Sequence, residues 1–219
     1  MNFSVMPALL LVMLAAIAPQ ASAEGQAFPL PAPLVDMAKK PGLQEAVFAG
    51  GCFWGMQAVF QHVRGVVSAT SGYAGGAADT ASYARVSAGG TGHAEAVKVI
   101  FDPSRISYGQ LLEVFFADAH NPTQLNRQGP DEGTQYRSVI FAANPEQQKI
   151  AKAYIEQLSR LKIYADNIVT QVSLLPAFYP AEAHHQNFAA RHPYNPYIVI
   201  NDLPKIDHLK RDFPGLFVP

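Results

Sequence analysis

The sequence contains a single cysteine, Cys52, and a single tryptophan, Trp54, among 219 residues. One cysteine excludes a disulfide bond within the chain. Charged residues are also few, at 15%, and the 16 Lys and Arg nearly balance the 17 Asp and Glu. This balance gives no electrostatic reason to expect a nucleic acid or an anionic membrane as a partner. We therefore expect no nucleic-acid binding.

Apolar residues, by contrast, make up 49% of the chain, which is ample material for a hydrophobic core. A chain of this length fits one domain with extensions, and no internal repeat is visible. The sequence therefore predicts a single globular domain, which we expect to be a monomer.

Residues 1–23 are predicted to form a signal peptide. Residues 5–18 are almost wholly apolar, and Ala21-Ser22-Ala23 is a small-x-small cleavage site before Glu24. The apolar run is shorter than the roughly 20 residues that span a bilayer. No Lys or Arg precedes it, which leaves a retained N-terminal anchor as the alternative. We predict an exported protein, periplasmic or otherwise extracytoplasmic, cleaved after Ala23.

Export makes the lone cysteine more informative. Proteins in oxidising compartments usually pair their cysteines, so an unpaired thiol there is either an intermolecular link or a reactive group. Cys52 follows Gly50 and Gly51 and precedes a predicted helix. The N–H groups and positive dipole end of such a helix favour the reactive thiolate. The alternative is a buried, inert cysteine that packs like a small apolar residue.

The order of predicted elements indicates the fold. Residues 24–44 carry four prolines and are predicted to be an extended linker arm, followed by one catalytic domain over 45–219. Strands are predicted at 45–49, 66–73, 93–101, 135–142 and 168–175, and helices at 53–63, 107–119, 144–161 and 181–190. From 45 to 142 this is the βαββαβ order of a ferredoxin-like α+β fold, with an antiparallel or mixed sheet and helices on one face. The remaining C-terminal residues, rich in proline, are predicted to be a coil-rich extension.

The sequence contains two other candidate kinds of site. The densest group of possible metal ligands is Glu182, His184, His185 and His192. Adjacent histidines on a helix point about 100° apart, unlike the i, i+4 pair of helical zinc motifs, so no metal site is predicted. The glycine-rich residues 72–76 lack the Lys-Ser/Thr of a phosphate-binding loop.

A cysteine hydrolase or acyltransferase is a further alternative. It would pair Cys52 with a histidine and an orienting Asn or Asp. The candidates are His93, His120 with Asn121, and His185, and nothing in their spacing favours any of them. A non-catalytic module that binds apolar side chains in an aromatic pocket is the third possibility.

Glu95 is the most informative carboxylate, because it alternates with apolar residues in the predicted strand 93–101. If it points inward, desolvation raises its pKa and makes it a protonated donor or general acid. If the strand is at an edge, Glu95 faces water instead. Tyr83, Tyr136 and Tyr197 are further candidate hydrogen-bond donors, although each could serve packing alone.

Several motifs, taken together, resemble the A-type peptide methionine sulfoxide reductases over residues 45–206. They are GCFWG at 51–55, SGYAGG at 71–76, GHAE at 92–95, DEGTQYRS at 131–138, and AE with HQ at 181–182 and 185–186. The resemblance implies a ferredoxin-like fold, no metal and no cofactor. It also implies activity on the S epimer of methionine sulfoxide, free or within proteins.

The resemblance assigns a role to each candidate residue. Cys52 would attack the sulfoxide sulfur and become a sulfenic acid, in a pocket that Phe53 and Trp54 form for the substrate methyl group. Glu95 would protonate the sulfoxide oxygen. Tyr83 and Tyr136 would hold that oxygen by hydrogen bonds. Asp131 would help to position the substrate backbone or the reductant, and Tyr197 is a further candidate for substrate binding.

The sequence also departs from the family pattern. Gln57 stands where many members have Glu, Ala183-His184 replaces Asp-Tyr, and Ser87 replaces a second cysteine of some relatives. Residues 194–204 contain none of the resolving cysteines that many relatives carry. The sulfenic acid would therefore require an external thiol, such as a thioredoxin-like protein outside the cytoplasm.

Overall fold

The structure is a computed structural model that describes residues 30–38 and 40–219. The predicted signal peptide, 1–23, and the first part of the predicted arm lie outside the described residues. Among the described residues, no helix has both the length and the apolar character needed to cross a membrane.

The described residues form a six-stranded sheet and a separate two-stranded ribbon. The strands are β1 (Gln44–Ala49), β2 (Val66–Ala74), β3 (Ala94–Phe101), β4 (Arg127–Gln128), β5 (Asp131–Glu132), β6 (Val139–Ala142), β7 (Gln171–Leu174) and β8 (Phe178–Pro180). The sheet order is β7-β6-β1-β3-β2-β8, and β4 pairs with β5. Only β6 and β7 run parallel; the other neighbours are antiparallel. The predicted α+β fold with a mixed sheet is confirmed.

The helices begin where the sequence carries capping residues. They are α1 (Phe53–Gln61), α2 (Tyr83–Ser87), α3 (Tyr108–Val114), α4 (Pro145–Arg160), α5 (Phe188–Arg191) and α6 (Leu203–Asp212). Ser107 and Gln110 form a reciprocal capping box before α3. The Asn144 side chain accepts the Gln147 N–H at 3.0 Å, and Pro145 follows it at the start of α4. The predicted starts of α3 and α4 are therefore confirmed.

The core lies mainly between the sheet and its helices. Phe48 of β1 stacks on Phe60 of α1 at 5.1 Å and on Phe115 at 5.0 Å between ring centroids. Neighbouring residues of β1, such as Val47, point to the opposite face and join a smaller buried cluster that includes Phe141. Because strand side chains alternate, β1 is buried on both faces and holds the centre of the domain.

The predicted coil-rich C-terminal extension is wrong. Residues 178–180 form β8, which pairs with β2, and residues 203–212 form α6. Pro204 lies in the first turn of α6, where proline is compatible with a helix. A high proline content therefore does not exclude a helix here. The sequence prediction also missed α2, which lies in the connection between β2 and β3.

Other boundaries differ because single turns replace parts of the predicted elements. Residues Thr134–Tyr136 form a 3₁₀ turn, so β6 begins later in the chain than predicted. A π-helical turn at Phe115–Ala119 follows α3. The predicted helix at 181–190 is a 3₁₀ turn, Ala183–His185, followed by the short α5.

The described part of the arm lies against α3 and α4. Tyr154 OH donates to the Pro31 carbonyl at 3.0 Å, and Gly109 N–H donates to Asp36 Oδ1 at 2.8 Å. Gln157 Oε1 accepts the Leu34 N–H at 2.9 Å. These hydrogen bonds hold the segment on the domain surface.

Candidate active site

Cys52 lies at the N-cap of α1. The loop before it depends on two glycines, Gly50 and Gly51. Gly51 has a φ of +92°, in the region that favours glycine. A Cβ atom on Gly50 would lie 2.8 Å from His120 Cβ, and one on Gly51 would lie 2.6 Å from Gln128 Cβ. The paired glycines therefore let the nucleophile loop pack directly against residues 120–128. Cys52 is a free thiol with 8% of its surface exposed.

An aromatic wall forms one side of the site. Phe53 is buried, and its ring lies 5.3 Å from that of His185. Trp54 stacks on Phe188 at 3.8 Å and meets Tyr197 edge-on at 5.9 Å. Its indole N–H donates to His185 Nδ1 at 3.2 Å. These contacts fix both aromatic rings beside Cys52, as the sequence predicted.

Glu95 points into the domain. It is 2% exposed, and its Oε2 accepts the Phe53 backbone N–H at 3.0 Å. Its strand, β3, lies between β1 and β2, so the edge-strand alternative is wrong. Burial raises the pKa of the carboxyl to about 8, with a contribution from the charge of Asp131, while the Phe53 N–H lowers it. Glu95 is therefore a neutral acid at pH 7 and can donate a proton.

The protonation state of Cys52 differs from the expectation. Burial raises the pKa of the thiol well above its ordinary value, and the charges of Glu95, Asp202 and Asp131 raise it further. The backbone N–H of Trp54 lowers it. The prediction that the helix terminus makes Cys52 a thiolate is thus wrong for the resting site, because desolvation outweighs the helix. A thiol and a carboxylic acid share the site.

The remaining predicted residues supply hydroxyl donors and an anchor. Tyr83 begins α2, Tyr136 ends the 3₁₀ turn before β6, and Tyr197 OH donates to Asp131 Oδ2. Burial raises the pKa of all three tyrosines, so each keeps its O–H proton at neutral pH. The Tyr83 ring lies 6.5 Å from that of Phe53, and the Tyr197 ring, which is hydrogen-bonded through its hydroxyl to Asp131, lies 5.9 Å from that of Trp54. The charge of Cys52 contributes to the raised pKa of Tyr83, Tyr136 and Tyr197. The structure therefore brings all eight predicted residues together.

Sequence reasoning missed two residues that hold this site, Glu182 and His185, because it weighed Glu182 only as a metal ligand and His185 as a metal ligand or a hydrolase histidine. Glu182 accepts the Tyr83 N–H at 2.9 Å and the Tyr73 hydroxyl at 2.8 Å. His185 orients Trp54. Their presence in the AE and HQ motif was the available signal.

The departures at positions 57 and 87 have structural explanations. Gln57 is buried, and its amide donates to the Ala69 carbonyl at 2.9 Å and to Gln186 Oε1 at 3.0 Å. Its Oε1 accepts the Asn187 N–H at 2.7 Å. A glutamate could not make both donations, so the amide suits this position. Ser87 donates to the Tyr83 carbonyl within α2.

Two of the candidate histidines use their ring nitrogens away from Cys52. His120 contacts Ser138 Oγ at 2.7 Å and the Phe115 carbonyl at 2.8 Å, and His93 contacts the Ala77 carbonyl at 2.9 Å. These contacts disfavour His93 and His120 as the histidine of a cysteine hydrolase. Within residues 30–38 and 40–219, no group of three or more His, Cys, Asp or Glu side chains is arranged to hold a metal ion.

Together, the α+β fold, the single buried thiol and the facing neutral acid define a cysteine-dependent enzyme. Comparison with known proteins gives its family. The family model described as peptide methionine sulfoxide reductase matches residues 44–215, and the chain belongs to that family.

Two relatives illustrate the similarity. The Mesorhizobium japonicum protein named peptide methionine sulfoxide reductase MsrA 2 is 57% identical over 84% of this chain and 94% of its own. The Synechocystis protein of the same name is 50% identical over 84% of this chain and 88% of its own.

Solved structures agree with the fold. Reduced Mxr1 from Saccharomyces cerevisiae has a TM-score of 0.65 and 31% identity, over 72% of this chain and 91% of its own. Methionine sulfoxide reductase A of Corynebacterium diphtheriae has a TM-score of 0.60 and 35% identity, over 72% of this chain and 80% of its own.

Proposed function

We propose that this chain is an oxidoreductase that reduces the S epimer of methionine sulfoxide, in proteins and as the free amino acid, to methionine. One observation carries the proposal: a neutral, buried Glu95 is held by the Phe53 N–H next to the Cys52 thiol. A sulfoxide oxygen leaves poorly until it is protonated, so a nucleophilic sulfur needs an acid nearby. The names of the relatives agree with this chemistry.

The substrate methyl group sits against Phe53 and Trp54, and the oxygen faces Glu95 and the tyrosine hydroxyls. Cys52 Sγ attacks the substrate sulfur while Glu95 protonates the oxygen. The attack joins the two sulfur atoms. The protonated oxygen then moves as a hydroxyl group from the substrate sulfur to Cys52 Sγ while the sulfur–sulfur bond breaks, so methionine leaves and Cys52 becomes a sulfenic acid. The proton lost by the thiol restores Glu95. The substrate sulfur gains the two electrons that the cysteine sulfur loses.

The sulfenic acid needs an external reductant, because the chain has no second cysteine. We propose a thioredoxin-like protein or another dithiol. Its first thiol condenses with the sulfenic acid to give a mixed disulfide and water. Its second thiol then attacks that disulfide and releases Cys52 as a thiol.

Racemic methionine sulfoxide tests this function. With dithiothreitol as reductant, we expect the protein to consume half of an R,S mixture and then stop, leaving the R epimer. Chiral chromatography of the residual sulfoxide measures the result. Complete absence of turnover would indicate a binding module, and acylation by active esters without sulfoxide reduction would indicate a hydrolase.

We also propose that the protein is exported. Support comes from the apolar run, the Ala21-Ser22-Ala23 site and the single thiol. Mass spectrometry of the protein from its native host should find Glu24 at the N-terminus. An intact leader on membrane-bound protein would indicate an anchor instead, and an intact leader on cytoplasmic protein would contradict export.

Two further proposals concern architecture. The antiparallel order β6-β1-β3-β2 supports a ferredoxin-like assignment for the central four strands. Because one chain supplies Cys52, Glu95 and the hydroxyl donors, we propose that the protein acts as a monomer.

A further inference from the structure

Asp202 is a buried carboxylate that the reaction described above does not use. It has no exposed surface and ends a π-helical turn, Ile198–Asp202, that leads into α6. Its side chain lies against the first turn of α1: a Cβ atom at Gly55 would overlap Asp202 Oδ1 and lie 2.6 Å from its Cγ. Glycine at position 55 is therefore what lets this carboxyl group approach the helix that carries Cys52.

A cationic side chain, Lys205, lies beside this carboxyl group. Lys205 Nζ, one turn along α6, lies 3.5 Å from Asp202 Oδ1, and its side chain is 19% exposed. Asp202 Oδ2 is buried, and no hydrogen-bond partner for it lies among the described residues. Burial raises the pKa of Asp202, whereas the Lys205 ammonium lowers it. The positive dipole end of α1 also stabilises the ionised form.

We propose that Asp202 is a positioning residue of the reductase: its carboxylate occupies the positive end of α1 beside Cys52 and adds to the effect of burial in holding the nucleophile in its thiol form. The proposal rests on the proposed role of Cys52 as nucleophile. A retained thiol proton is useful, because the balanced reaction consumes that proton to regenerate Glu95.

Several charged groups lie around Cys52, and they differ in their effect on its pKa. Glu95 from β3, Asp131 from β5 and Asp202 all act on the thiol, while Lys205 faces Asp202. The tyrosine hydroxyls at 83, 136 and 197 are neutral at pH 7. Glu95 is also neutral below about pH 8. Of the other two carboxyl groups, Asp202 raises the pKa of Cys52 more than Asp131 does.

Alkylation of the single cysteine tests the proposal directly. Iodoacetamide reacts with the thiolate, and the full chain has no other thiol to confuse the measurement. In Asp202→Asn, which keeps the size and removes the charge, we expect alkylation at pH 7 to be about three- to tenfold faster, which corresponds to a decrease of half to one unit in the Cys52 pKa. The rate against pH, followed by intact-mass spectrometry, should shift to lower pH.

Asp207→Asn is the matched control, because it removes the same charge from the exposed side of α6. We expect its alkylation profile to match the wild type. Equal profiles for Asp202→Asn and the wild type, or equal shifts in both variants, would overturn the proposal.

A second variant covers the case in which Asp202→Asn fails to fold. In Gly55→Ala with Asp202→Ala, the added methyl group enters the space that the carboxyl group leaves. We expect this double variant to show the same shift toward lower pH. A folded double variant with the wild-type pH dependence would show that Asp202 serves packing alone, and would overturn the proposal. Alkylation does not require sulfoxide turnover, so this result is independent of the reductase assay.

Discussion

Cys52→Ser is expected to lower the rate of methionine sulfoxide reduction at least roughly 10⁴-fold, to the background of the assay. Serine keeps the size of the side chain but cannot accept the sulfoxide oxygen as a sulfenic acid. Because Cys52 is a small, buried residue, the variant should still fold. Steady-state consumption of methionine sulfoxide with dithiothreitol measures the effect.

The matched control is Ser87→Ala, which removes a hydroxyl that only bonds within α2. We expect this variant to retain most of its activity. Sulfoxide reduction that continued at the wild-type rate in Cys52→Ser, with the protein confirmed pure by mass, would exclude Cys52 as the nucleophile.

Glu95→Gln is expected to reduce turnover by about 10²–10⁴-fold, the range for loss of a general acid. The amide keeps the shape of the side chain and can accept the Phe53 N–H, but cannot deliver a proton. In the wild type, the rate should fall as the pH rises through about 8, where Glu95 loses its proton. That descent should be absent in the variant, as pH profiles of kcat/KM would show.

The same substitution should also change how the free energy of unfolding depends on pH. The folded protein binds the Glu95 proton more tightly than the unfolded chain, because its pKa rises from 4.5 to about 8. Between these two values the contribution of Glu95 to stability therefore declines as the pH rises. From pH 5 to pH 9, we expect the wild type to lose about 3–5 kcal/mol of unfolding free energy relative to Glu95→Gln.

Urea unfolding at both pH values measures this difference. Glu156→Gln, at an exposed position of α4, is the control and should track the wild type. Identical pH dependence of stability in Glu95→Gln and the wild type would mean that Glu95 is not held protonated in the folded state. The acid would then have to come from another group.

Local sequence signals predicted the parts of the molecule that depend on neighbouring residues. The capping residues Ser107 and Asn144 mark the starts of α3 and α4, because their side chains bond backbone groups only three residues away. Cys52 and Glu95 stood out from their local patterns, and the resemblance to a known family added roles for the other site residues.

The tertiary structure alone decided how these residues behave. Glu95 becomes an acid because its strand lies at the centre of the sheet, and Cys52 keeps its proton because burial outweighs the helix end. The contact between Gly55 and Asp202 joins residues 147 positions apart, which no local pattern reports. Sequence thus determined which chemical groups are present, whereas desolvation and long-range packing decided their charges, because both depend on what surrounds a side chain after folding.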